Sequence, residues 1–366
     1  MRRLLFLLCA FALPFGAVHA RTAPSGGEVK NLIYMIGDGM GLAQVSLLMI
    51  ERGYEPVAFD RAQNVALVST YSANNRVTDS AAAGTALATG RKTDNGMLGQ
   101  TPDGAPVESM IARAVREGRP TGEVVTSTLQ HATPAAFYAH AADRDDDRTI
   151  TEWLVRSGVD VLFGGGGGSF SDEQLAVLRD KGYRIVRDPD QLDAVSSGKV
   201  LGLFADGHLA SARKGRGDYL PRATQKALEI LDADARETGR GFLLMVEGSQ
   251  IDWAGHDNDA ELLLAEMTDF DRAVSAAMDF ADEHPGTLVV VTADHETGGL
   301  SIPSNEEDFH LSDSGVQYDF STGGHSGTLV PVYLYGTGAE RINGILDNTE
   351  LCLLYTSDAA DDLTRV

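Results

Sequence analysis

The chain has 366 residues, 43% of them hydrophobic, which is enough for one large core and too apolar for a disordered chain. Its 30 Lys and Arg stand against 53 Asp and Glu, and the net charge of −23 repels a phosphate backbone and an anionic bilayer, excluding duplex nucleic acid as a partner. There are only two cysteines, Cys9 and Cys352, so a disulfide framework and a CxxC metal site are excluded, and any metal must be held by Asp, Glu, His or hydroxyl groups.

Residues 1–20 follow the pattern of an export signal: basic Arg2 and Arg3, the apolar run Leu4–Leu13, and a small-residue cleavage site at Val18-His19-Ala20. That run is too short to span a bilayer, and no later run approaches spanning length. The mature chain is expected to be periplasmic or secreted. From Asn31 onward, continuous β-branched runs alternate with helical patterns. Strands are predicted at Asn31–Ile36, Asn64–Thr70, Glu123–Ser127, Val159–Phe163, Gly241–Val246, Thr287–Thr292 and Val330–Tyr335. Helices are predicted at Ser80–Thr89, Val107–Glu117, Ile150–Ser157, Asp172–Lys181, Arg222–Thr238 and Asp259–Glu283. The alternation predicts an α/β fold with a central, mostly parallel sheet between helical layers. The segment from Lys181 to Asp218 reads as an irregular, charged insertion, and Gly164–Gly168 as a flexible turn.

Polar clusters stand at the ends of several predicted strands, where open α/β sheets bind ligands. Asp38 lies in the glycine-rich turn Gly37–Gly41, whose spacing does not fit a dinucleotide loop and whose carboxylate suits a cation better than a pyrophosphate. Glu247, Asp252 and His256 follow another apolar strand, with Asp252 and His256 one helical turn apart. Such a trio is either surface polarity or a site for a hard or borderline cation. Asp294-His295 follows a third strand, where an uncompensated pair of titratable groups is costly. His325 precedes the last predicted strand and by itself reads as a turn residue. Ser80, after Asp79 and before a run of alanines, is either part of an ordinary helix cap or a nucleophile at a helix N-terminus.

Taken in order, the pieces IGDGMG (Ile36–Gly41), VTDSAA (Val77–Ala82), LQHATPAA (Leu129–Ala136) with Arg144, MVEGSQIDWAGH (Met245–His256), TADHE (Thr292–Glu296) and GGHSGT (Gly323–Thr328) resemble the secreted alkaline phosphatases. They place a catalytic domain at 28–350, while residues 351–366 depart from the family pattern. The resemblance implies a metal-dependent phosphomonoesterase acting through a phosphoserine at Ser80, with Arg144 binding phosphate. It implies two Zn2+ and one Mg2+: one zinc on Asp252, His256 and His325, the other on Asp38, Asp294 and His295 with Ser80, and magnesium on Glu247, Thr133 and bridging Asp38. It also implies a homodimer acting on small phosphate monoesters. Some members of the family carry Asp and Lys where this chain has His131 and Trp253, so His131 is expected at the magnesium site and magnesium is expected to be held loosely. A sulfatase lacks support because Asp79-Ser80-Ala81 has no formylglycine motif. Diesterases of this kind commonly lack the third site. His140 is expected to be structural, and His208, His284 and His310 exposed.

Overall fold

The computed structural model describes residues 27–305 and 315–356; the export-signal pattern, His310 and residues 357–366 lie outside the described residues. The strands are β1 (Asn31–Gly37), β2 (Asn64–Ser69), β3 (Thr121–Thr128), β4 (Val161–Gly165), β5 (Arg184–Val186), β6 (Val200–Leu203), β7 (Leu243–Gly248) and β8 (Thr287–Thr292), then the two-residue β9 (Glu296–Thr297), β10 (Leu300–Ser301), β11 (Asp319–Phe320) and β12 (His325–Ser326), and finally β13 (Val330–Gly336) and β14 (Gly344–Asp347). Ten of them form one sheet in the order β14-β2-β13-β8-β1-β7-β3-β4-β6-β5. Only β13 runs against its neighbours, β8 and β2. The short strands pair off as β12 with β9 and β10 with β11.

The helices are α1 (Leu42–Glu51), α2 (Ser80–Thr89), α3 (Met110–Arg116), α4 (Ala132–Ala135), α5 (Asp147–Ser157), α6 (Asp172–Asp180), α7 (Tyr219–Thr238), α8 (Ile251–His256), α9 (Ala260–Glu283) and α10 (Asn348–Thr356). One group centres on α9, packed on α1, α7 and α8; another centres on α2, packed on α3, α4 and α10. Leu351 and Cys352 of α10 are buried in that second contact. The central strands read as unbroken apolar runs because helices cover them: Ile33, Met35, Val246 and Val290 are wholly buried. Truncating Ile33 or Met35 to alanine is expected to cost about 2–5 kcal/mol.

The seven predicted strands and six predicted helices are all present, with ends displaced by a few residues. Two expectations fail. The stretch from Lys181 to Asp218 is no insertion: it supplies β5 and β6, which extend the sheet beyond β4. Three and four residues are too few to show a period. Nor is Gly164–Gly168 a flexible turn. Gly164 and Gly165 finish β4, and a Cβ on Gly165 would stand 2.1 Å from the Gly207 carbonyl oxygen. The amides of Gly166, Gly167 and Gly168 donate to the carbonyls of Gly207, Ala205 and Asp206 at 2.9, 2.9 and 3.0 Å. The glycines are there because another stretch of backbone lies against them.

Candidate active site

Sheet register sets the site. Ile36 of β1 pairs with Glu247 of β7 on one side and Thr292 of β8 on the other, and Val125 of β3 pairs with Glu247. Asp38, Glu247 and the Asp294-His295 pair therefore leave adjacent strands at one edge. His131 and Thr133 follow β3, and α8 brings Asp252 and His256. The turn after β1 needs Gly39: its φ is +76°, and a Cβ there would lie 2.8 Å from both the Asp252 Cα and the Thr297 Oγ1. His325 arrives before β13 rather than after it, since the antiparallel strand starts at the edge where the others end. The β9–β12 ribbon then pairs His325 with Thr297.

Among the described residues three groups of candidate ligands result, each with its donor atoms within 4.8 Å of one another: Asp252, His256 and His325; Asp38, Asp294 and His295; and Asp38, His131 and Glu247. In the first, His256 Nε2 is 3.3 Å from Asp252 Oδ2, and His325 Nε2 lies 3.5 Å from Asp252 Oδ1 and 3.2 Å from His256 Nε2. In the second, His295 Nε2 is 3.4 Å from Asp38 Oδ1 and 3.2 Å from Asp294 Oδ2. The His295 and His325 rings stack with centroids 3.6 Å apart, so the two groups adjoin. Asp38 belongs to both the second and the third. Thr133 is buried in α4, and its hydroxyl has no hydrogen-bond partner among the described residues.

Ser80 opens α2, a helix with every residue buried. Asp79 caps it by accepting from Ala82 N at 2.9 Å, so the capping role falls to Asp79 and leaves the Ser80 hydroxyl free for the cluster. Ser80 Oγ stands 3.2 Å from His295 Nε2. The other carboxylate oxygen of Asp79 accepts from Gly96 N at 3.0 Å and from Arg144 Nη1 at 3.1 Å, so one residue caps the serine's helix and aims the arginine.

The electrostatics ask for cations. Both oxygens of Asp38, Oε1 of Glu247 and Oδ2 of Asp294 are buried without a hydrogen-bond donor among the described residues. Burial, with Asp294 nearby, pushes the Asp38 carboxyl well above the usual range. Burial likewise carries Asp294 to about 7 and Glu247 to about 8. The histidines are oriented to match. His256 Nδ1 is 2.7 Å from the Gly323 carbonyl, His325 Nδ1 is 2.9 Å from the Thr78 carbonyl, and His295 Nδ1 is 3.1 Å from Thr297 Oγ1. A proton on each Nδ1 satisfies those contacts and leaves three Nε2 lone pairs aimed at carboxylates. Lone pairs and carboxylates converging in this way fit shared metal ions. Asp and His donors suit zinc, while Glu247 with the Thr133 hydroxyl suits magnesium.

Thr297 escaped the sequence reading. Its hydroxyl donates to Asp252 Oδ1 at 2.5 Å while facing His295 Nδ1, tying two ligand groups together. Its one signal is its place two residues beyond His295. Elsewhere, His140 contacts the Gly99 carbonyl at 2.6 Å and packs on Trp153, a structural role as expected. His284 is not exposed as expected: it is half-buried, its ring stacked on Phe280 at 3.8 Å. His208 is exposed as expected, yet its ring lies 4.7 Å from that of Trp253.

Known proteins carry the same fold and sequence. The alkaline phosphatase family profile matches residues 29–315. Alkaline phosphatase 4 of Bacillus subtilis is 34% identical, over 88% of this chain and 87% of its own. The alkaline phosphatase of the Antarctic bacterium TAB5 is 37% identical with a TM-score of 0.83, over 89% of this chain and 97% of its own. A variant of that enzyme with glutamate in place of a histidine has magnesium bound in its M3 site; it superposes with a TM-score of 0.81, at the same identity and coverage. With a matching profile, relatives and fold, this chain belongs to the alkaline phosphatase family and is a phosphomonoesterase.

Proposed function

We propose that the chain hydrolyses phosphate monoesters through a phosphoserine at Ser80, in a site built for two Zn2+ and one Mg2+. The observation that carries this reading is the position of Ser80 Oγ, 3.2 Å from His295 Nε2 within a buried group of ligands. Asp252, His256 and His325 would hold one zinc; Asp38, Asp294 and His295 would hold the other beside Ser80; Glu247, Thr133, His131 and Asp38 would hold magnesium. Bound zinc lowers the pKa of a hydroxyl or water and spreads the charge of attacking and leaving oxygens.

The side chains divide the remaining work. Ser80 Oγ attacks phosphorus in line, forming its P–O bond as the ester oxygen departs as an alcohol. Water then attacks the phosphoserine, releasing inorganic phosphate and restoring the hydroxyl. The N-terminus of α2 favours the charge gathered at Ser80. Arg144 grips two phosphate oxygens with its planar fork and is held in place by Asp79. His295 keeps its proton on Nδ1 against Thr297 and serves as a ligand, not a general base. Substrates are small monoesters, reached outside the cytoplasm by way of the export signal at 1–20, and the working form is a homodimer. Among the described residues no helix is long and apolar enough to cross a membrane.

Hydrolysis of 4-nitrophenyl phosphate, compared with its diester and its sulfate analogue and with EDTA added, tests the reaction class. Ser80→Ala is expected to abolish acid-pH labelling by phosphate while retaining zinc; labelling that persists rules Ser80 out. The TAB5 variant suggests how to test the third ion. Replacing His131 by Asp, together with Trp253→Lys, is expected to tighten magnesium and phosphate binding, since oxygen suits magnesium better than imidazole does.

A further inference from the structure

Residues 204–218, between β6 and α7, supply no ligand and no catalytic group, yet they are fastened on all sides. Three glycine amides after β4 hold their first turn. Arg216, its side chain 1% exposed, pairs with Glu266 and Asp269 of α9 and donates to the Ala210 carbonyl at 3.2 Å. Glu266 also accepts from Ala212 N at 2.8 Å. On the inner side, Leu209 N donates to Thr126 O at 3.3 Å, and Gln250, which precedes α8, donates to Leu209 O at 2.9 Å.

This strap presents His208 to the turn between β3 and α4. Thr128 N donates to His208 Nδ1 at 3.0 Å, and His131 N donates to Thr128 O at 3.1 Å, so one turn carries both contacts. The His208 ring meets Trp253 edge-on at 4.7 Å and 72°, and His131 at 5.8 Å and 82°. His131 and Trp253 meet at 6.1 Å and 79°. The three rings thus stand edge to face around one point, a favoured arrangement for aromatic groups. His208 thus meets both the turn that precedes His131 and the ring of His131 itself.

We propose that His208 is a positioning residue for the third metal site, setting the orientation of His131 and through it the affinity for magnesium. The proposal rests on the reading above that His131 faces that ion. His208 has its Nδ1 engaged with Thr128 and stands outside every ligand group. Being exposed, it contributes little to global stability, and water can replace its contact with Thr128. Its loss therefore falls on the site and not on the fold. Outer partners of metal-bound side chains typically govern affinity by 10–100-fold, roughly the scale expected here.

The test uses the full-length, zinc-loaded enzyme and magnesium alone, measured by equilibrium dialysis with metal analysis. For His208→Ala the magnesium half-saturation is expected to rise about tenfold, with zinc content unchanged and Tm within a few degrees. His208→Asn keeps an acceptor for Thr128 without the ring, and His208→Phe keeps a ring without the acceptor. Recovery in Asn alone assigns the effect to the backbone contact; recovery in Phe alone assigns it to the rings. Wild-type half-saturation in all three variants overturns the role of His208. A wild-type enzyme that takes up no third ion overturns the reading of that site, and the proposal with it.

Discussion

The two histidine-rich ligand groups touch through stacked rings, yet they sit in opposite environments. Asp38, Asp294 and His295 have side chains with no exposure, whereas His256 at the neighbouring group is 38% exposed. In the deep group, burial pushes both carboxyls up and the imidazole well down, so each side chain resists charge. In the open group, the hydrogen bond to Asp252 lifts His256 to about 9. Burial raises Asp252, but His256 with His295 and His325 outweighs it and holds that carboxyl below its usual range. Without an ion, the open group can neutralise itself with a proton held between His256 and Asp252, and the deep group with protons on its raised carboxyls. A cation entering the deep group must displace protons from fully buried carboxyls, whereas one entering the open group displaces a proton from an exposed imidazole, although both draw on the same residue types.

The comparison breaks most sharply by substitution. Asp294→Asn, in the deep group, is expected to lower kcat/KM about a thousandfold or more, with excess zinc failing to restore it. His256→Ala, in the open group, is expected to lose one zinc and recover substantially when zinc is raised. Steady-state kinetics with zinc counting distinguish these outcomes, and equal rescue of both variants would erase the contrast. Chelation sharpens it: zinc release to EDTA is expected in two phases, the fast one removed by His256→Ala. Arg144→Ala reaches past both groups to the phosphate and is expected to cost about 10- to 1,000-fold in kcat/KM, with weaker phosphate inhibition. Arg144→Lys is expected to recover little of this, because it lacks the fork.

The smallest effect concerns a buried acid outside the ligand groups. Glu123 of β3 has neither carboxyl oxygen hydrogen-bonded among the described residues, and burial, with Glu247 nearby, pushes it well above its usual range. The folded chain then holds a proton that the unfolded chain gives up above pH ~4.3, so stability falls as pH rises from there toward the folded value. Glu123→Gln is expected to flatten that fall and raise Tm by a few degrees at pH 8. Melting curves from pH 5 to pH 9 measure it. A variant with the wild-type slope would show that Glu123 carries none of the dependence.

Much of the fold was legible because its central strands are long and wholly apolar, as Leu32–Ile36 and Leu288–Val291 are. β5 and β6 were not, being short pieces whose strand character comes from the neighbours they pair with. At the site, the residues now grouped around Ser80 stood out as acids and imidazoles at strand ends, and the family resemblance ordered them. Thr297 and His208 did not stand out. A threonine and a loop histidine carry no signal until folding sets one against two ligands and the other against Trp253. The five glycines misled for a related reason: their composition suggests freedom, while the backbone against them removes it.

The reversed strand β13 has a consequence for the order in which the centre is assembled. Because it starts at the site, His325 is the last of the candidate ligands in the chain. A polypeptide emerging from its N-terminus has Asp38, His131 and Glu247 once residue 247 is out, Asp294 and His295 some fifty residues later, and the open trio only with His325. The most exposed pocket is therefore the last to be completed, and its ion is the last that can be captured. Under the assignment proposed above, a zinc bound there would be the ion that turns the folded protein into a working catalyst.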